Sequence, residues 1–326
     1  MIKSNKYKMT KLQGIGKKEL EEKVRQAYDL LSPCRLCPRA CGTDRLKNKK
    51  GYCKAGRLPE IASYHAHHGE EPPISGFKGS GTIFFSHCSL RCVFCQNYPL
   101  SQLGEGKEVT IQELADIMLK LQGKGCHNIN FVTPTHYTAQ ILAALADAKD
   151  MGLGIPLVYN CGGYESVSTL KILDGVIDIY MPDFKYGDNA SAIKYSGAED
   201  YAERAKEAHR EMHRQAGVLR AEGGIAVSGL LVRHLVMPNR LASSEKVFEF
   251  IAKELSPDTA VNIMAQYYPA HLANKYSEIN RLPTVNEYTE ALQAARSSGL
   301  NQGWRQTVGT LTREKIPEWK DSLKDS

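Results

Sequence analysis

The sequence predicts an α/β protein in which six parallel strands alternate with helices as a partial (β/α)6, TIM-like barrel, preceded by an N-terminal cysteine-rich metal-binding segment. Three observations predict it. Beyond residue 80, short apolar runs alternate with longer amphipathic ones, the pattern of repeated βα units around a parallel sheet. Seven of the nine cysteines fall into two tight groups, one before this alternation and one just after its first apolar run. A chain of 326 residues, 42% of them hydrophobic, can bury one large core, which is the scale of a single α/β barrel.

Taken in order, residues 1–75 read as a helical and cysteine-rich metal-binding segment, 76–283 as the barrel, and 284–326 as a helical tail packed on it. The first 16 residues are basic but lack an apolar stretch of signal-peptide length. No segment reaches the roughly 20 apolar residues of a membrane span, so the expectation is a cytoplasmic protein with no membrane partner. Clustered thiols suit metal ligation in a reducing compartment better than disulfides.

Cys34, Cys37 and Cys41 are followed after eleven residues by Cys53. Four cysteines within twenty residues complete a metal set, and the Pro and Gly beside them supply turns that bring backbone amides to the sulfurs. Zinc and a 4Fe-4S cluster both accept four thiolates, so this second centre stays open between the two. The run 65–72, His-Ala-His-His-Gly-Glu-Glu-Pro, reads as a loop over a cavity mouth, with Glu71 a candidate for substrate contact. Residues 72–81, rich in Pro, Gly and Ser, form a soft boundary ahead of the barrel.

The first barrel strand, 81–86, leads into His87-Cys88-Ser89-Leu90-Arg91-Cys92-Val93-Phe94-Cys95-Gln96-Asn97. Three thiolates hold three irons of a 4Fe-4S cluster and leave the fourth with an open position for a substrate or cofactor. A structural zinc site would lack its fourth ligand. The remaining strands are expected at 128–133, 156–160, 177–183, 229–237 and 260–266, with helices at 111–122, 138–151, 167–173, 201–217 and 244–255. A last helix opens with the capping box Thr284-Val285-Asn286-Glu287. In such barrels the chemistry collects at the carboxyl ends of the strands. Here those ends carry Thr133 to Tyr137, Asn160 to Glu165, Asp183 to Tyr186, Arg233-His234 and Gln266 to His271, which together offer acceptors, cations, hydroxyls and flat apolar surface.

The run from His87 to Asn97 resembles the signature of the radical S-adenosylmethionine (radical SAM) superfamily, including the aromatic Phe94 directly before its last cysteine. The resemblance implies that Cys88, Cys92 and Cys95 carry a 4Fe-4S cluster whose open iron chelates SAM. It also implies that an electron from the reduced cluster cleaves the sulfonium, that a 5'-deoxyadenosyl radical abstracts hydrogen from a substrate, and that Phe94 lies beside the adenine. Further matches are to enzymes related to the pyruvate formate-lyase activating enzyme. Asp183-Phe184-Lys185 resembles their Asp-Leu-Lys, whose Asp and Lys contact SAM, and the run from Val232 through Arg233 to Pro238 resembles their fifth strand. The run 266–271 resembles a last-strand site with a Tyr-His pair near the cofactor, at longer spacing here, and Thr133-Pro134-Thr135 stands where that branch has Gly-Gly-Glu for the SAM amine. The cofactor-binding set so implied is Phe94, Thr135, Asn160, Asp183, Lys185, Arg233, Gln266 and His271. Over residues 34–299, the motifs at Cys34 to Gly42, Cys88 to Asn97 and Met264 to Tyr267 look like those of the PflX-like group.

Cys161, Tyr267 and Glu71 are the candidates for catalytic contact; for Cys161 the alternative is burial as a small apolar residue. Cys126 reads as structural. His209 and His213 share a helix face without a third ligand and read as a solvated face. The sequence thus predicts a radical SAM enzyme that reductively cleaves SAM and acts on an unidentified substrate, with a flavodoxin- or ferredoxin-type electron donor. The alternative is an activating enzyme that installs a glycyl radical on a partner enzyme, which makes the substrate a protein. The formal charge of +6, from 42 basic and 36 acidic side chains with no dense Lys/Arg tract, does not point to nucleic acid.

Overall fold

In the computed structural model, which describes residues 9–306 and 313–315, the six expected strands form the middle of one larger sheet. Among the described residues the strands are β1 Glu60–His67, β2 Ser80–Phe85, β3 Lys107–Glu108, β4 Ile129–Val132, β5 Leu157–Cys161, β6 Ile179–Pro182, β7 Arg220–Glu222, β8 Ile225–Leu235, β9 Ala260–Met264, β10 Gly303–Gln306 and β11 Arg313–Lys315. Their order is β11-β10-β9-β8-β6-β5-β4-β2-β1-β3, with β7 folded back on β8. From β2 to β10 the neighbours are all parallel, while β1, β3, β7 and β11 are antiparallel additions. The two ends of the sheet do not pair, so the barrel is partial.

Helices cross between the parallel strands where the amphipathic periodicity put them, at Ile111–Gly123, Thr138–Asp150, Val167–Ile172 and Tyr201–Ala216. The fifth divides into an α-helix, Ser244–Phe250, and a π-turn, Ile251–Leu255. The helix Val285–Ser297 starts at the Thr284/Glu287 capping box, with both reciprocal bonds formed. Period-two alternation along the strands separates two apolar layers. Ile83, Phe85, Phe131, Tyr159, Tyr180, Val232 and Ile263 pack outward under the helices. Val158, Ile179, Met181, Leu231, Ala260 and Trp304 pack inward around Ile74. Each such large side chain, fully buried, contributes roughly 1.5–3 kcal/mol.

Three expectations change. The tail is not only helical: β10 follows its helix and extends the parallel run, a four-residue strand too short to show a period; residues 307–312 and 316–326 lie outside the described residues. The histidines of 65–67 belong to β1, not to a loop. This outer strand pairs with β2 along its length, and its mid-strand residues face solvent, so its sequence lacks the apolar signal. Residues 72–81 do not separate two parts of the chain either, because β1 before them and β2 after them are partners. Pro72–Ser75 instead forms one helical turn that closes the amino end of the barrel. Ile74 sits in the inner apolar layer, and its carbonyl accepts from Asn128 Nδ2 at 2.8 Å, at the start of β4.

Candidate functional site

Strand β2 ends in the cysteine loop. His87 takes a left-handed φ of 72° and its amide donates to the Leu100 carbonyl at 2.8 Å, which turns the chain back over the strand ends. Cys92 is buried and Cys88 and Cys95 are half-buried. Burial pushes the Cys88 thiol up to about 12 and raises Cys92 as well, against a lowering pull on Cys92 from Lys185 and from Ser196, whose Oγ donates to Cys92 Sγ at 3.0 Å. A backbone amide, Leu90 N, faces Cys88 Sγ at 3.4 Å, and Ser101 Oγ lies 3.1 Å from Cys95 Sγ. Two glycines let the end of β5 pass underneath. A Cβ on Gly162 would stand 2.7 Å from Leu90 Cδ1. Gly163 has a φ of +77°, and a Cβ there would meet the Asp183 carbonyl at 2.0 Å.

A polar row leaves this loop and descends into the barrel. Lys185 Nζ donates to Asp183 Oδ2 at 2.5 Å, and Arg233 Nε donates to Asp183 Oδ1 at 2.8 Å. The same guanidinium donates to Asn160 Oδ1 at 2.6 Å and to Glu70 Oε2 at 3.4 Å. Asn130 and Asn160 donate to Glu70 Oε1 at 3.2 and 3.4 Å, and Asn262 donates to Glu71 Oε1 at 2.6 Å. Burial pushes Asp183 up, but Arg233 and Lys185 together outweigh it and hold the carboxyl below the ordinary carboxylate range. Burial opposes the charge of Lys185, and Asp183 and Cys92 overcome it, so the ammonium stays protonated.

Other predicted residues stand elsewhere. Alternation along β5 turns Asn160 inward and Cys161 outward, so Cys161 packs in the outer layer instead of opening into the cavity. It interacts there with Glu165, which accepts from Thr135 Oγ1 at 2.6 Å and Tyr159 Oη at 3.2 Å. Burial raises Glu165 to about 7. Thr135 therefore belongs to this outer group and not to the lumen. Phe94 packs at 5.7 Å against the ring of Tyr267, whose hydroxyl donates to the Ile279 carbonyl at 2.7 Å. The Gln266 carbonyl accepts from Gln96, just past the cysteine loop, and its side chain accepts from Gln306. His271 stacks on Tyr98 at 5.0 Å, on the rim. Glu71 does not lie over the mouth; with Pro72–Ser75 it enters the barrel from the floor. His209 is buried and His213 half-buried, so the face they share is not a solvated one, and His209 packs on Phe184 with Nδ1 bonded to the Ala205 carbonyl.

Sequence reasoning missed Glu70, Asn130 and Asn262. A signal was available: Ile129-Asn130-Phe131 and Val261-Asn262-Ile263 each place an amide inside an apolar strand, where it must find a buried partner.

The N-terminal cysteines lie against the same loop. Cys34, Cys37 and Cys53 are buried, Cys41 is exposed, and the Cys34 and Cys37 thiols, both raised first by burial, are also raised by other members of the group. Between Cys37 and Cys41, Arg39 donates to the carbonyls of Ser89 at 3.1 Å, Ser196 at 2.8 Å and Gly197. Among the described residues no three His, Cys, Asp or Glu side chains already stand in the positions of a metal shell.

A radical SAM superfamily model matches residues 82–219. The chain is also 33% identical over 296 residues, 86% of its own length and 80% of the relative's, to the uncharacterized protein MJ0674 of Methanocaldococcus jannaschii. The chain carries a radical SAM superfamily domain. A solved structure, that of methylornithine synthase (PylB), aligns over 73% of this chain and 74% of its own at 11% identity, with a TM-score of 0.42. Such a domain implies a 4Fe-4S cluster and SAM. The donor set fits a radical SAM site: three thiols stand on one loop, burial raises those of Cys88 and Cys92, a cationic iron core would hold them as thiolates, and the Ser196 hydroxyl and the Leu90 amide would temper their charge. Among the described residues no helix is long and apolar enough to cross a membrane.

Proposed function

We propose that this chain holds a 4Fe-4S cluster on Cys88, Cys92 and Cys95 and binds SAM with Asn160, Asp183, Lys185 and Arg233, beside Phe94 and Gln266, to begin a reaction by hydrogen abstraction. One observation carries this reading: the Lys185–Asp183–Arg233 row starts beside Cys92 and runs into the lumen. When bound, the cluster and SAM supply one-electron cleavage of the sulfonium, giving methionine and a 5'-deoxyadenosyl radical. The protein's own part is binding and orientation. Lys185 and Arg233 offer cations to a carboxylate, Asp183 and Asn160 offer acceptors to an ammonium or a ribose diol, and the Phe94–Tyr267 pair offers a flat apolar surface to an adenine.

Cys34, Cys37, Cys41 and Cys53 are proposed as a second centre, of zinc or a further 4Fe-4S cluster, and a flavodoxin- or ferredoxin-type protein as the electron donor. Free, largely buried thiols support a reducing, cytoplasmic setting. The test is anaerobic reconstitution of the wild type and of a Cys88/Cys92/Cys95→Ala triple variant, with assays of iron, zinc and 5'-deoxyadenosine formed with dithionite. The wild type is expected to cleave SAM and the variant not to. Metal kept by the variant identifies the N-terminal centre. Wild type that binds iron yet never cleaves SAM sinks the proposal. The activating-enzyme alternative requires in addition a glycyl-radical EPR signal on a partner protein.

A further inference from the structure

The lower half of the lumen carries hydrogen-bonding capacity that the protein itself does not use. Glu71 Oε2, Asn262 Oδ1 and Asn130 Oδ1 are buried and have no hydrogen-bond partner. All three are acceptors. The amides cannot simply turn over, because Asn262 Nδ2 is committed to Glu71 Oε1 at 2.6 Å and Asn130 Nδ2 to Glu70 Oε1 at 3.2 Å, and a flip would set carbonyl against carboxylate. A buried acceptor left unmatched costs about 1–3 kcal/mol, and more when charged. Charge points the same way. Among the described residues Arg233 bonds to Asp183 and Glu70 and Lys185 to Asp183, while no cation bonds to the Glu71 carboxyl.

The floor beneath is sealed by Asn128, which donates to the Ile74 carbonyl and accepts from Ser80 Oγ at 2.6 Å. A ligand must therefore come from the cysteine-loop end and present donors at its leading tip. We propose that Glu71, Asn262 and Asn130 form the substrate pocket, and that the substrate enters with an ammonium or guanidinium group foremost. This names a substrate class for the radical SAM reading and rests on that reading only in calling the ligand a substrate.

Calorimetry on reconstituted, SAM-loaded protein tests it with four cationic probes, agmatine, arginine amide, lysine amide and spermidine, and with citrulline amide as the neutral counterpart of arginine amide. At least one cation is expected to bind, citrulline amide at least tenfold more weakly than arginine amide, and Glu71→Gln to weaken the cation at least tenfold while Glu71→Asp recovers part of the loss. Binding of none of the four, equal binding of arginine and citrulline amides, or equal cation binding by a folded Glu71→Gln protein overturns the assignment and leaves a pocket filled by water. The arginine–citrulline comparison needs no variant, so a misfolded Glu71→Gln does not blunt the test. 5'-Deoxyadenosine formation in the same preparations is read separately. Cleavage without cation selectivity rejects this pocket alone, and Glu71-dependent binding without cleavage rejects the radical reading alone.

Discussion

Asn160 and Cys161 are neighbours on β5 and sit in opposite electrostatic worlds. On the inner side, Asn160 joins Glu70, Asp183, Arg233 and Lys185, where every carboxylate oxygen that bonds to the row faces a donor and Asp183 is held ionised. On the outer side, Cys161 joins Glu165, Thr135 and Tyr159, where two hydroxyls and the thiol are the donors and burial pushes the carboxyl up to about 7. One residue of strand register thus divides a charged row that can exchange its partners for a ligand's from a closed group that fastens strand to helix. The lesson is that polar residues at strand ends sort by the parity of their position, not by their chemistry.

The sharpest way to break the inner side is Arg233→Gln. It leaves Asp183 and Glu70 without their shared cation, and the loss of one partner of a buried ionic network costs about 3–5 kcal/mol. A denaturant titration should show that drop, together with weaker SAM binding; an unchanged midpoint would mean the row is not coupled.

A pair of variants at one turn of chain sharpens the contrast further. Asn160→Ala is expected to lower 5'-deoxyadenosine formation tenfold or more, because it frees Arg233 Nη2 inside the lumen. Cys161→Ala should stay within about twofold, since its thiol faces the helices. Equal losses would erase the distinction between the two faces.

The smallest effect is in the pH dependence of stability. The carboxyl of Glu165 is raised from about 4.5 to about 7 on folding, so between those values the unfolded chain has released a proton that the folded one keeps. Stability contributed by this group is present below about 4.5 and falls as pH rises to about 7, by about 3 kcal/mol at most. Glu165→Gln should therefore gain relative to wild type across that window, measured by urea unfolding at a series of pH values. A parallel pair of curves would show that Glu165 ionises freely.

How much of this was legible beforehand follows the same parity. The cysteine loop announces itself by spacing alone, and the parallel strands by apolar runs that both faces bury, which is why Asp183, Lys185 and Arg233 could be picked out at the strand ends. Thr135 and Cys161 looked equivalent to them because sequence gives the end of a strand but not, to within one residue, which side it turns to the lumen. Glu70 was missed, and Glu71 was expected over the mouth, for another reason: both reach the site from a turn that plugs the floor, and no periodicity announces a plug. β1 was hidden by the exposed Tyr64 and its polar neighbours, which read as a loop until β2 supplies the hydrogen bonds.

The grip of Arg39 on the Ser89 and Ser196 carbonyls has a consequence in time. Its second anchor lies 157 residues further along the chain. At roughly 5–20 residues per second of synthesis, that interval lasts on the order of ten to thirty seconds. Throughout it the first four cysteines leave the ribosome with nothing yet made for Arg39 to hold at that anchor, and the segment that lies against the finished barrel is the one that waits longest, thiols uncovered, for the rest of the molecule to arrive.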